Sequence, residues 1–292
     1  MKPVSSRPAA HVLGVAVDAL DMQCCLHHID TLLRGSQSGY ICVAGVHGVM
    51  EAQWDSELFE AYDGSTMTVP DGMPLVWTGW LQSHRRMARV AGPDLMLEVF
   101  RDPRFQNLRH FLYGGRQDVA QELKVSLLAR FPAAQIVGTY TPPFRDLNEA
   151  ELQDLKTQLA EARVDVLWIG ISCPRQELFM ARHVGHLPAR LMFGVGAAFD
   201  YHTGRIRDCA PWIKRAGLQW LHRLLQDPRR LWKRYARNNP AFLYRITAQI
   251  LRDALYGGPR HASTPERLHS IPATRYLRSA GARMTDHRSE QL

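Results

Sequence analysis

Through the first 200 positions, short runs of β-branched and other apolar residues alternate with longer stretches of helical periodicity. The runs predict strands at 12–17, 40–45, 67–70, 109–115, 134–140, 164–170 and 189–196. Most are near-continuously apolar, as expected of parallel strands covered on both faces. Helix-length stretches lie between them at 21–34, 92–102, 116–130, 148–162 and 175–186. Asn148 ahead of Glu149 and Glu151, and Pro174 ahead of Arg175, supply start signals for the last two. This βα repeat predicts an α/β body over 10–205, built on a mostly parallel, doubly wound (Rossmann-like) sheet.

The period changes after residue 210. Stretches 211–225, 227–238 and 240–255 read as three helices, separated by Asp227-Pro228 and Asn239-Pro240, and no strand pattern follows. They define a helical C-terminal appendage over 206–256. From Gly257 to Leu292 the chain is rich in Gly, Pro, Ser, Thr, His and Arg without apolar period, which predicts a disordered tail.

Charge sharpens this division. The chain carries +8 overall, but 204–252 holds 12 basic residues against 2 acidic ones, leaving −2 for the remainder. Trp212, Trp220, Leu224, Trp232, Tyr235 and Phe242 run among those charges. The plain reading is a solvated helix face. Interleaved aromatics point instead to a phosphate-bearing ligand, nucleic acid or an anionic membrane surface. No apolar run approaches the ~20 residues of a spanning helix, and MKPVSSRPAAH has no apolar core for export. Five cysteines without a CxxC pair fit a reducing compartment rather than a disulfide framework or zinc site.

Ligands in such sheets bind beyond the carboxyl ends of strands. The loops there begin at Gly45, Pro70, Gly114, Gly170 and Gly194. Asp71, between Pro70 and Gly72, is either a helix cap or a general base aimed into the crevice. Arg175, Gln176 and Glu177 open a helix, whose free N–H groups suit an anion. Gln176 can both donate to and accept from a sugar or a base edge; Glu177 also fits simple first-turn capping. Asp200 is a hydroxyl ligand or a turn residue, and His47 at a strand exit is structural or catalytic. G-x-S-x-G, H-E-x-x-H, P-loop, G-x-G-x-x-G and DxD patterns are missing, so no metal and no cofactor is predicted.

Several of these segments together resemble one family. VPDGMPLVW (69–77), RVAGPDLM (89–96), FLYGG (111–115), IGISCPRQELFMARH (169–183) and FGVGAAFDYHTGRIRDCAPWIKRAGLQWLHRLLQDPRRLWKRY (193–235) resemble the WecG/TagA/CpsF glycosyltransferases, in family order. The resemblance implies an inverting, metal-independent enzyme. It would move a sugar from a nucleotide-sugar, expected to be a UDP-sugar, to a polyprenyl-diphosphate-linked saccharide in bacterial surface polysaccharide synthesis. It implies that Asp71 is the base and that Gln176, with Glu177 beside it, serves the donor; the loop positions add Arg175, Gly196 and Asp200 to the expected donor side. Gly45, His47 and Arg89 would lie around the acceptor or just behind the residues that touch it, and Arg223, Arg229, Arg230 and Arg234 at its diphosphate and the membrane. One departure stands out: the family's T-x-N run falls on Val43 and Gly45, with His47 two residues on. The expected place is peripheral, on the cytoplasmic face of the inner membrane. A homo-oligomer is the other way to cover the basic, apolar segment. The other functional classes are a basic nucleic-acid binder, for which no recognition motif is present, and a noncatalytic scaffold on the same fold.

Overall fold

A computed structural model describes residues 7–256; the tail predicted over 257–292 lies outside the described residues. In chain order the first elements are β1 (Ala9–Val12), β2 (Val15–Asp18), α1 (Met22–Arg34), β3 (Gly39–Ala44), α2 (Val46–Glu51), α3 (Ser56–Gly64) and β4 (Met67–Pro70). Next come α4 (Met73–Leu81), α5 (Gly92–Arg101), β5 (Arg109–Gly114), α6 (Val119–Arg130), β6 (Gln135–Tyr140), α7 (Glu149–Glu161) and β7 (Val164–Gly170). The chain continues through α8 (Arg175–His183), β8 (Ala189–Gly194) and α9 (Ala198–His202) to α10 (Pro211–Arg215), α11 (Gln219–Gln226) and α12 (Pro228–Tyr256).

Six strands form one parallel sheet in the order β4-β3-β8-β7-β5-β6. Alternate strand residues point to opposite faces, and each face builds its own core. Ile41, Val69, Leu112, Trp168 and Phe193 pack under α1, α5, α6 and α9. Tyr40, Cys42, Phe111, Leu167 and Met192 pack under α2, α3, α7 and α8, joined there by Phe242 and Ile246 of α12. Both faces are therefore dry, which explains why the strands read as unbroken apolar runs.

Two expectations are corrected. The run at 12–17 is a hairpin, not one strand: β1 and β2 pair antiparallel around Leu13 and Gly14. Both turn residues have positive φ, 51° and 87°, the two-residue geometry whose twist matches the flanking strands. The helices after 210 also divide differently. Gly217, at φ 70°, ends α10, and a Cβ there would sit 2.8 Å from the Trp77 ring, so 211–225 is broken by a position that only glycine fits. Pro240, by contrast, lies inside α12. Proline removes one helical bond, but the carbonyl it orphans belongs to exposed Ala236, while Asn238 and Phe242 on either side are buried against the body. Tertiary packing carries the helix through.

The buried positions of α12, Leu231, Asn238, Phe242, Ile246 and Gln249, form one stripe at spacings of three, four and seven. Gln249 bonds the backbone of both Leu13 and His11, at 2.8 and 2.7 Å. The Arg237 guanidinium stacks 4.0 Å from the Trp54 ring centre. Among the described residues no helix is long and apolar enough to cross a membrane.

Candidate active site

Strands β4, β3, β8 and β7 end side by side, and their exit loops line a cleft of about 860 Å3. Residues of α10, α11 and α12 form the facing wall. The Gly114-Gly115 loop is not part of it. A Cβ at Gly114 would lie 2.6 Å from the Gly170 carbonyl oxygen, so that glycine serves strand packing rather than a ligand.

Asp71 leaves β4 with its N–H on the Ala44 carbonyl, 2.8 Å, so β3 fixes the start of the loop. Gly72 is the N-cap of α4 and no side chain caps that helix. The capping reading of Asp71 is thereby overturned. Its carboxylate is 39% exposed in the cleft. Desolvation raises its pKa, with Arg89, Arg223 and Lys214 opposing and Asp94 reinforcing the shift. A carboxylate moved toward neutrality is a better proton acceptor in the working pH range.

Arg89 lies beneath. It donates to the Asp71 carbonyl (2.9 Å), Asp94 (3.2 Å) and Gln219 of α11 (2.8 Å), and approaches the Asp71 carboxylate at 3.6 Å. One guanidinium thus ties the Asp71 loop to the facing wall. Gln219 in turn donates to the Tyr201 hydroxyl, over whose ring Arg223 lies.

His47 lies just past the exit of β3, in the first turn of α2, with Gly45 as N-cap. Burial, then Arg234 and Arg237, pushes its pKa down to about 3. The neutral ring accepts from Asn238 at 2.8 Å and so pins α12. Val43, Gly45 and His47 all line the cleft. Gly45 has an ordinary φ of −112°, and a Cβ there would meet nothing within 4 Å. The fold does not require glycine at that place, and the space before it stays open.

On the β7 and β8 side, Ser172 holds a left-handed φ of 68°, a strained backbone of the kind that collects at functional sites. Gln176, Gly196 and Asp200 line the cleft. Glu177 does not: it is fully buried behind Gln176, which donates to it at 2.9 Å. Arg175 is directed elsewhere, to the Arg145 carbonyl and the Phe144 ring.

The facing wall brings Arg223, Arg230 and Arg234 into the cleft, whereas Arg229 is exposed outside it. Arg230 is paired with Asp227. Arg234 is the deepest; burial, with Arg223 and Arg230 nearby, lowers its pKa. Guanidiniums gathered closely enough to lower the pKa of the innermost are a site in want of an anion. Toward the mouth the lining turns apolar, with Trp77 and Leu81 of α4 opposite Leu243 and Ile250 of α12. Among the described residues no group of three His, Cys, Asp or Glu side chains is placed to hold a metal ion.

Sequence reasoning missed Lys214, Gln219, Tyr201 and Asn238. The first three lie within the 193–235 segment whose pattern was readable. Asn238 carried no signal, because its partner His47 lies 191 positions away in the chain.

Comparison with known proteins gives this arrangement a family. Residues 10–255 match the model described as "Glycosyl transferase WecG/TagA/CpsF family". An N-acetylglucosaminyldiphosphoundecaprenol N-acetyl-beta-D-mannosaminyltransferase of Bacillus subtilis (strain 168) is 28% identical over 183 residues, 62% of this chain and 68% of that protein. The protein of the same name from Bacillus spizizenii (strain ATCC 23059 / NRRL B-14472 / W23) is 24% identical over 208 residues, 71% of this chain and 79% of its own. With 246 of its 292 residues under the family model, and the cleft assembled from the motifs that model spans, the chain belongs to the WecG/TagA/CpsF glycosyl transferases.

Proposed function

We propose that this protein is an inverting glycosyltransferase that moves a hexose or N-acetylhexosamine from a UDP-sugar to a polyprenyl-diphosphate-linked saccharide. It would work as a peripheral protein at an anionic membrane, on the cytoplasmic face of the bacterial inner membrane. The observation that carries this reading is one cleft with an uncapped carboxylate, Asp71, on the body and three arginines on the facing wall. The names of the two relatives supply the substrate class.

The chemistry is a single displacement. Asp71 takes the proton of the acceptor hydroxyl as that oxygen bonds the anomeric carbon, and the bond to the departing UDP oxygen breaks on the opposite side. The charge that develops on the departing UDP phosphate is the main electrostatic task of the step, and basic groups and helix N-termini facing the cleft would meet it without reorganising. Arg223, Arg230 and Arg234 serve the acceptor diphosphate, while Gln176, Gly196 and Asp200 face the donor. The apolar mouth at Trp77, Leu81, Leu243 and Ile250 receives the first part of the lipid. The exposed Leu225, Trp232, Tyr244 and Leu255 meet the bilayer with the basic residues around them.

The test is transfer of labelled sugar from a panel of UDP-sugars to polyprenyl-diphosphate saccharides in anionic vesicles, with Asp71→Asn alongside. General-base removal should cost about 10²–10⁴-fold in kcat, with donor binding and melting temperature retained. Transfer by Asp71→Asn at the wild-type rate would remove Asp71 from the role.

A further inference from the structure

The least expected feature of the cleft floor is a pair of buried polar side chains left half satisfied. Gln176 is 3% exposed and Glu177 wholly buried. Gln176 Nε2 donates to Glu177 Oε1 at 2.9 Å, and the Glu177 carboxyl is otherwise met by the Cys173 thiol, a weak donor, and its own backbone N–H, while Gln176 Oε1 has no hydrogen-bond partner. A buried carboxyl so weakly held is costly, and an apolar side chain of the same size would be cheaper for the fold.

The surroundings show what it does. A Cβ on Gly194 would lie 3.1 Å from Gln176 Nε2 and one on Gly196 3.6 Å from Oε1, so the amide lies flat beneath the end of β8. With that floor against one side and the ionised Glu177 carboxyl holding Nε2, flipping the amide would set two acceptor oxygens against each other. Gln176 therefore keeps one orientation, and its unsatisfied atom is the acceptor.

Resting on the function proposed above, we infer that Glu177 is a positioning residue: it locks the Gln176 amide so that its carbonyl oxygen takes a hydrogen bond from an O–H or N–H group of the donor substrate. The group is a sugar hydroxyl or the imide N–H of the uracil. Burial pushes the Glu177 carboxyl up to about 7, so the place already tolerates a neutral group, and Gln is its isosteric replacement.

The experiment compares wild type, Glu177→Gln, Glu177→Met, Gln176→Ala and the pair Gln176→Ala/Glu177→Met. Each is read by steady-state transfer, by calorimetric titration with UDP and with UDP-sugar, and by melting temperature. Glu177→Met should melt at or above wild type, yet raise the donor KM about tenfold, as an unmade buried hydrogen bond costs about 1–3 kcal/mol. Its kcat and acceptor KM should stay within about threefold of wild type. Glu177→Gln, which can still accept from Nε2 but no longer forbids the flip, should give a donor KM between those of Glu177→Met and wild type. The double variant should be no worse than Gln176→Ala, because the two residues act as one unit.

UDP alone losing the same affinity as UDP-sugar in Glu177→Met assigns the uracil; loss confined to UDP-sugar assigns the hydroxyl. A Glu177→Met protein that melts lower but binds donor normally overturns the inference, as does full additivity in the double variant. If wild type binds neither UDP nor any UDP-sugar, the glycosyltransferase reading itself fails.

Discussion

In the α/β body, Trp168, Phe193, Leu112 and Phe111 are sealed between sheet and helices; in the C-terminal helices, Leu225, Trp232, Leu243, Tyr244 and Leu255 stand in solvent. Both regions hold large apolar residues among charges, but only the first buries them within the chain. Fully burying one such side chain is worth about 1.5–3 kcal/mol, so the body supplies its own stability on two faces of one sheet. The C-terminal helices hold on by one stripe of α12 and by a few polar and ring contacts, among them Gln249 on the hairpin, Asn238 on His47, Gln219 on Arg89 and Arg237 on Trp54. Their other side is basic, aromatic and exposed. The difference teaches that the cleft has a rigid wall and a surface-facing wall, with the proposed base on the first and the phosphate-seeking arginines on the second.

That contrast can be broken at several points. The largest effect is expected at Arg234, a half-buried cation of the facing wall. Arg234→Ala should weaken the acceptor by about 2 kcal/mol or more, roughly 30-fold, with donor affinity kept; steady-state titration of each substrate reads the split. The next concerns pH. His110 in the body core and His47 at the seam are pushed down by burial, to about 4 and about 3, against about 6.5 in an unfolded chain. Below 6.5 the unfolded state binds protons that the folded state refuses. Their contribution is therefore complete above about pH 6.5 and falls toward pH 4, by at most about 1.4 kcal/mol per pH unit for each histidine, against one opposing contribution from Glu177, whose raised carboxyl is favoured as pH falls. A melting temperature unchanged between pH 7 and pH 5 would contradict this.

Smaller effects separate the two surfaces. Leu225→Glu and Trp232→Glu should each reduce binding to anionic vesicles by about tenfold. Val125→Glu, also exposed but on α6 of the body, should leave vesicle binding unchanged; co-sedimentation distinguishes them. The smallest change is expected at Trp54→Ala, which removes the aromatic face under Arg237. It should cost about 1 kcal/mol, a fall of about 2–4 °C in melting temperature, without altering donor binding.

Much of this molecule was legible because its signals are local. The strands at 67–70 and 164–170 have the predicted limits, since each is a short apolar run closed by Pro or Gly. Asp71 was singled out by its place between Pro70 and Gly72, although local sequence left cap and base equally open; only the empty N-cap of α4 decided against the cap. What remained hidden depends on distant partners. Leu13-Gly14 reads as strand until β1 and β2 pair. Pro240 reads as a break until Asn238 and Phe242 are seen anchored on the body. Glu177 reads as a first-turn acid until its burial behind Gln176 is known.

The most direct test of the two-wall account is a paired measurement of KM for donor and acceptor in Gln176→Ala and Arg234→Ala. The account predicts that Gln176→Ala raises the donor KM alone and Arg234→Ala the acceptor KM alone. Both variants raising the same KM, or each raising both equally, would contradict the division of the cleft into a donor wall and an acceptor wall.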